Sequence, residues 1–297
     1  MPAFAISRRA ALAGSAALLL PACTLDPDRD HAGSDAPRAA PLARPFRIAW
    51  VLGSGGPRGF THVGVLRALD ELGLAPDLIV GASVGAMVGV LRASGRSAQA
   101  IEALALDLNV LSFARLAVGA SERYSGAPIA EIVETHAGEQ QLERMPIAMA
   151  CVAVRKRDRG VVAFTAGRAA LAVQASSAIE GQFSPVRIHG ETYVDPDWDV
   201  PLPVRVARSF GARKVLAVDA SAHVDRAPDG AARYREGDAR KKALIDVDAS
   251  QADFVLKPDF GYWVSFSRDF RERAIGAGYR DTMAQAQALR ELHRAAG

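Results

Sequence analysis

The sequence predicts an α/β fold with a central, mostly parallel sheet covered by helices on both faces. Three observations carry this expectation. Short apolar runs alternate with amphipathic helical patterns along the chain. Two of these runs end in glycine-rich turns that lead straight into a helix. The 297 residues, 49% apolar and 23% charged, suffice for one large domain with a full core.

The first run, Phe46 to Leu52, is closed by glycines and followed by a helix over Thr61 to Leu72, whose Val63, Val65, Leu66 and Leu69 offer an inner face. A second strand, Leu78 to Val80, ends in Gly81-Ala82-Ser83-Val84-Gly85 and gives way to a helix running to about Ala93, where Gly95 offers a stop. Further strands are expected at Ile147 to Val154, Val161 to Thr165 and Val215 to Asp219. Helices are expected at Ser97 to Leu108, Ala127 to His136, Arg168 to Ala175 and Phe266 to Arg294. The polar stretch Ser221 to Arg240 has neither period and reads as a surface excursion or mobile loop.

Ahead of the domain, Ser7-Arg8-Arg9, the apolar run Ala10 to Leu20 and Leu20-Pro21-Ala22-Cys23 form the regions of an export signal. The run has eleven residues, whereas a helix needs about 20 to cross a hydrocarbon core. Its arginine pair resembles a twin-arginine signal, with Ala11 where Phe is favoured. Leu20 to Cys23 resembles a bacterial lipobox, which makes Cys23 the lipidation site; a plain signal peptide with a chance cysteine is the alternative. The chain then divides into a signal at 1–22, a flexible tether at 23–45 rich in Asp, Ala, Pro and Arg, and a domain at 46–295. An exported, lipid-anchored protein of the bacterial cell envelope, on a periplasm-facing membrane, is the expected location. The formal charge of +3 falls to +1 without Arg8 and Arg9, so nothing advertises a nucleic-acid partner. Two cysteines, one of them Cys23, leave no disulfide framework, and Cys151 is expected as a buried thiol.

Two constellations carry chemistry. Gly81-x-Ser83-x-Gly85 lies between strand and helix, where small residues let the chain turn sharply and lift Ser83 above the sheet edge as a nucleophile elbow. The helix N-terminus behind it favours the negative charge that develops during attack. The second is Gly53-Ser54-Gly55-Gly56-Pro57-Arg58-Gly59. As a dinucleotide fingerprint its glycine spacing fails at Arg58, and as a phosphate loop it lacks the Gly-Lys-Ser/Thr ending. It fits better as an oxyanion hole for Ser83; glycines that merely permit a tight turn are the alternative.

The segments LGSGGPRGFTHVGVL, GASVGAMVG, SSAIEGQFSPVRIHGETYVD, PLPVRVARSFGARKVLAVDAS and ADFVLKPDF, in this order, resemble the motifs of the patatin-like phospholipase family over about Phe46 to Leu292. The resemblance implies a three-layer α/β/α fold and a lipid acyl hydrolase, of phospholipase A or esterase type, that uses a Ser-Asp dyad without histidine. Carried over residue by residue, it makes Ser83 the nucleophile, Asp195 its activating carboxylate, and the N–H groups of Gly55 and Gly56 the oxyanion donors, with Arg58 supporting that loop. Membrane phospholipids or related lipid esters are the implied partners. No cofactor is expected, and no metal, because the cysteines lack ligand spacing and Asp225, Asp229 and Asp238 are scattered in a polar stretch.

The chain departs from the family where Asp is normally followed by two small residues, for it reads Asp195-Pro196-Asp197. Proline removes an N–H and Asp197 adds a negative charge beside the dyad. A catalytically weakened envelope lipoprotein that binds lipid or a partner is therefore kept as an alternative. Ser54, Pro57 and Glu180 are milder departures. A Ser-His-Asp esterase is a second alternative, with His223 or His293 following Asp195 in chain order. His62 is expected to pack or cap. Leu104 to Val118 is read as a core helix and its connection, with a lid or acyl wall as the other possibility.

Overall fold

The computed structural model of the protein describes residues 29–42, 45–109, 115–117 and 122–297. The expected signal at 1–22 and Cys23 lie outside the described residues.

Among the described residues, one sheet contains nine strands: β1 (Asp30–His31), β2 (Ile48–Leu52), β3 (Leu78–Ala82), β4 (Ala148–Arg155), β5 (Gly160–Phe164), β6 (Val186–Ile188), β7 (Glu191–Val194), β8 (Lys214–Val218) and β9 (Phe254–Leu256). Their order is β1-β6-β7-β4-β3-β2-β8-β9, with β5 also paired to β4. From β4 to β9 the neighbours are parallel, and β5 and β7 meet β4 antiparallel. Strand β2 shows why two helical layers are needed. Its side chains alternate, so Ile48, Trp50 and Leu52 enter one core cluster and Ala49 and Val51 the other.

The first cluster is closed by α1 (Phe60–Glu71), α2 (Val84–Ala93), α3 (Ala98–Asp107), α4 (Ala127–His136) and α5 (Ala169–Ser176). On the other face lie α6 (Val204–Ser209) and α7 (Arg235–Ala249), which contribute Val204, Val206 and Ile245. The chain then returns to the first face through α8 (Arg268–Met283) and α9 (Ala286–Arg294). The result is a three-layer α/β/α fold.

Four features differ from expectation. Residues 29–42, expected as tether, belong to the domain. Strand β1 pairs in parallel with β6, Ala36 is buried, and Ala40 exchanges hydrogen bonds of 2.8 and 2.7 Å with the Thr165 hydroxyl. Residues 30–42 therefore pack with the domain expected to start at residue 46, and a segment held by backbone bonds at a sheet edge needs no apolar period to announce it. Second, the Ser221 to Arg240 stretch is not one excursion, since 3-10 turns at Val224–Arg226 and Asp229–Tyr234 lead into α7. That helix buries only Ile245 and Asp248, so it carries no apolar stripe. Third, β6 and β7 form a hairpin through His189 and Gly190, whose φ values of 49° and 78° match the turn that suits strand twist. Fourth, the last expected helix is broken between Met283 and Ala286, where no glycine or proline marks a stop.

Candidate active site

Ser83 stands between β3 and α2 with φ 55° and ψ −123°, a conformation an L-residue holds only when its surroundings enforce it. The enforcement is visible. The Ser83 carbonyl accepts from the N–H of Ala86 at 2.9 Å and Met87 at 3.2 Å. Its own N–H donates to Ser176 Oγ at 2.9 Å, and that hydroxyl donates onward to the Val152 carbonyl. The elbow glycines are required by close approach: a Cβ at Gly81 would lie 2.5 Å from Ala86 Cα, and one at Gly85 would lie 2.1 Å from the Leu52 carbonyl oxygen. Together these contacts aim a nearly buried hydroxyl from the end of a central strand.

The glycine-rich turn after β2 is anchored at its start, where the N–H of Gly53 donates to Val218 O at 3.0 Å and that of Ser54 to Pro201 O at 2.8 Å. The next N–H groups, of Gly55 and Gly56, take no part in the backbone bonds that hold the turn. Gly56 has φ 53° and lines the same cavity as Ser83. Arg58 is buried; it donates to Gly261 O at 2.9 Å and lies over the rings of Phe260 and Tyr262. It buttresses the turn from behind. His62 is fully buried, with Nε2 2.8 Å from Gly53 O, and burial pushes its pKa down to about 4. A neutral imidazole thus pins the first residue of the turn, the packing role expected of it.

Asp195 follows β7, and its N–H donates to Ala178 O at 3.0 Å. Oδ1 accepts from the Asp197 N–H at 2.8 Å, so Asp195 caps the short 3-10 turn Pro196–Trp198 with proline in the first helical position. There the missing N–H costs nothing. The Ser83 hydroxyl is a neighbour that favours the ionised carboxylate, yet Oδ2 is buried without a hydrogen-bond partner. Burial, and then the charge of Asp197, push the Asp195 pKa up to about 7; the Ser83 hydroxyl, the Asp197 N–H and Lys241 oppose them.

Asp197 is not a bare second charge. Its Oδ1 accepts from Ser54 Oγ and from Lys241 Nζ, the latter at 2.5 Å. Two departures from the family pattern, Ser54 and Asp197, thus bond to each other. Glu180 is also compensated, by Arg159 at 2.8 Å, which forks to Asp199. Lys241 and Ser176 escaped sequence reasoning. Lys241 sits just past a stretch read as loop, and no spacing links it to Asp197.

Ser83 lines a cavity of about 470 Å3 whose walls include Met87, Leu91, Ile101, Leu104, Ile129 and Phe183. That size lies within the range of about 300–1,000 Å3 that holds small ligands. Leu104, Ala105 and Leu108 line the cavity, while 110–114 and 118–121 lie outside the described residues. None of the six histidines lines it. His223 lies 3.4 Å from Pro258 O, and His293 is bonded to Leu289 O beside Trp50, so no histidine relay is assembled with Ser83. Cys151 is buried, which pushes its thiol pKa up and leaves it inert.

A family model described as patatin-like phospholipase matches residues 50–195, from β2 through Asp195. An uncharacterized NTE family protein of Mycobacterium tuberculosis is 31% identical over 215 residues, which are 69% of this chain and 59% of the relative. Lysophospholipase NTE1 of Mycosarcoma maydis is 30% identical over 211 residues, 67% of this chain and 11% of that protein. The match therefore spans between about a tenth and three fifths of these relatives' length. Among solved structures, VipD from Legionella pneumophila aligns with a TM-score of 0.58 over 88% of this chain and 71% of its own at 16% identity, a likeness of fold. With its elbow serine, glycine turn and aspartate all inside the matched region and its layers in the same arrangement, the chain belongs to the patatin-like phospholipase family.

Proposed function

We propose that the protein is a lipid acyl hydrolase that cleaves carboxylic ester bonds of phospholipids or related lipids through an acyl-Ser83 intermediate. The observation that carries this reading is the apolar cavity opening directly onto Ser83, beside a buried carboxylate and two N–H groups outside the turn's backbone bonds. The fungal relative, a lysophospholipase by name, points the same way.

The reaction follows from these positions. The acyl chain fills the cavity and sets the ester carbon against Ser83 Oγ. As Oγ attacks, its proton passes to Asp195, and the oxyanion takes the N–H groups of Gly55 and Gly56. Collapse breaks the ester bond, and the Asp195 proton leaves with the alcohol. Water then attacks the acyl-serine, gives its proton to Asp195, and releases the fatty acid as Ser83 recovers its hydrogen. An ordinary carboxylate, with a pKa near 4, is a weak base for this step, and the raised value of Asp195 brings it closer to the working range.

Cys23 is proposed as the lipid-bearing residue of an exported, envelope-anchored protein. Six residue steps separate it from Arg29, a reach of at most roughly 20 Å. Such an anchor holds the cavity near its lipid substrate. Metabolic labelling with a fatty acid, present in wild type and lost in Cys23→Ala, checks it.

The decisive experiment is fluorophosphonate labelling of the folded protein. Wild type is expected to label, Ser83→Ala not at all, and Asp195→Asn at least about 100-fold more slowly. A folded wild type that does not label favours a catalytically weakened lipid-binding lipoprotein instead.

A further inference from the structure

We infer that Lys241 is a positioning residue of this reaction: through Asp197 and Ser54 it offsets the second carboxylate of the Asp195-Pro196-Asp197 turn and ties that turn to the oxyanion loop. Lys241 has this role only if Ser83 and Asp195 react as proposed above.

Three residues far apart in sequence meet at one atom. Ser54 comes from the turn after β2, Asp197 from the turn after β7, and Lys241 from α7; Asp197 Oδ1 accepts from both other side chains. The Asp197 backbone N–H in turn donates to Asp195 Oδ1 at 2.8 Å. One carboxylate thus connects the two halves of the site, with the serine hydroxyl on the oxyanion side and the amide on the base side. Lys241 is held there by helix geometry. Lys241, Ile245 and Asp248 are spaced i, i+4, i+7 and share one face of α7. Asp248, wholly buried, accepts from the Arg205 backbone N–H at 3.2 Å and from its guanidinium at 3.0 Å, which locks the helix in register. Farther up α7, Asp238 accepts from the Tyr262 hydroxyl, and the Tyr262 ring lies against Arg58. The same helix therefore braces the glycine turn from a second direction.

The electrostatics have opposite signs. Asp197 pushes Asp195 toward its neutral form and Lys241 pushes it toward the anion. Other charges nearby are engaged elsewhere: Asp199 with Arg159, Asp219 with Lys257, Arg240 over the Trp198 ring, Asp238 with Tyr262 and Arg58 with Gly261 O. Without Lys241, a buried Asp195 beside an uncompensated carboxylate would hold its proton to higher pH.

The test is the pH dependence of kcat/KM on a soluble p-nitrophenyl ester, with the Ser83 labelling rate measured in parallel, for wild type and four variants whose folding is first checked by thermal denaturation. In wild type the acidic limb is expected near pH 7. Lys241→Met is expected to move it upward, and Asp197→Asn to move it downward by more. The double variant returns toward wild type, and Lys241→Arg, which keeps the charge, retains the wild-type limb. A merely structural lysine would lower activity equally at every pH. A folded, labelled Lys241→Met with an unmoved limb overturns the inference while leaving the Ser83–Asp195 reading intact. If Lys241→Met does not fold, Asp197→Asn decides alone, and an unmoved limb there overturns it. A wild type that does not label at any pH removes the reading itself and Lys241's role with it.

Discussion

At Asp195, burial and a neighbouring carboxylate act in the same direction, and that makes the residue a stability liability as well as a base. Its pKa rises from 3.8 to about 7 on folding. A carboxyl group shifted upward contributes stability below its unfolded value and loses it as pH climbs through the folded one. The stabilising contribution is therefore present below about pH 4 and gone above about pH 7. Asp195→Asn keeps an acceptor for the Asp197 N–H and removes the charge. Its Tm is expected to exceed that of wild type by roughly 5 °C at pH 8, with the gap closing toward pH 4. Scanning calorimetry at three pH values checks it, and equal Tm values at pH 8 would mean that no buried charge is carried there. Ser83 tells a similar story, since its positive φ persists only because the Ser176 hydroxyl and two glycines leave no alternative.

Among the elements, the segment ahead of β2 has the clearest consequence. Residues 29–42 supply the edge strand β1, the buried Ala36, backbone bonds between Arg38 and Ala166, and bonds between the Ala40 backbone and the Thr165 hydroxyl. A chain that starts at residue 29 is the reference. Removing residues 1–45 is expected to lower Tm by roughly 5 °C or more, because groups on β6 and at Thr165 and Ala166 just past β5 lose their partners. Equal Tm values for the two truncations would restore the flexible tether. Helix α7 is the other element whose meaning lies in its contacts. Polar along most of its length, it is fixed by Asp248 and Arg205 and delivers Lys241 to Asp197.

For the whole molecule, the cavity exists because α1 to α4 meet over one end of the sheet and leave room beside Ser83. If acyl chains lie there, a larger side chain in the wall shortens the chain that fits. Leu104→Trp is expected to cut kcat/KM for a p-nitrophenyl palmitate at least tenfold while leaving the butyrate ester within about twofold, since one filled pocket contact is worth about 1–3 kcal/mol. Parallel loss on both esters would place the acyl chain elsewhere. No helix among the described residues is long and apolar enough to cross a membrane.

Much of this organisation is legible in the sequence. The buried strands β2, β3, β4 and β8 are short apolar runs, and Ser83, Gly81 and Gly85 announce themselves because a sharp strand-to-helix turn admits so few residue types. Asp195 was legible only through family resemblance, since a lone aspartate after a strand has no spacing of its own. The edge of the sheet and α7 were not legible, for a strand of two residues and a helix burying two side chains leave no periodic trace. The sequence by itself determined the alternating elements and the elbow, which depend on neighbours along the chain. Only the tertiary structure decided that Asp197 is paired rather than bare, because its partners Ser54 and Lys241 lie 143 and 44 residues away and meet it through packing alone.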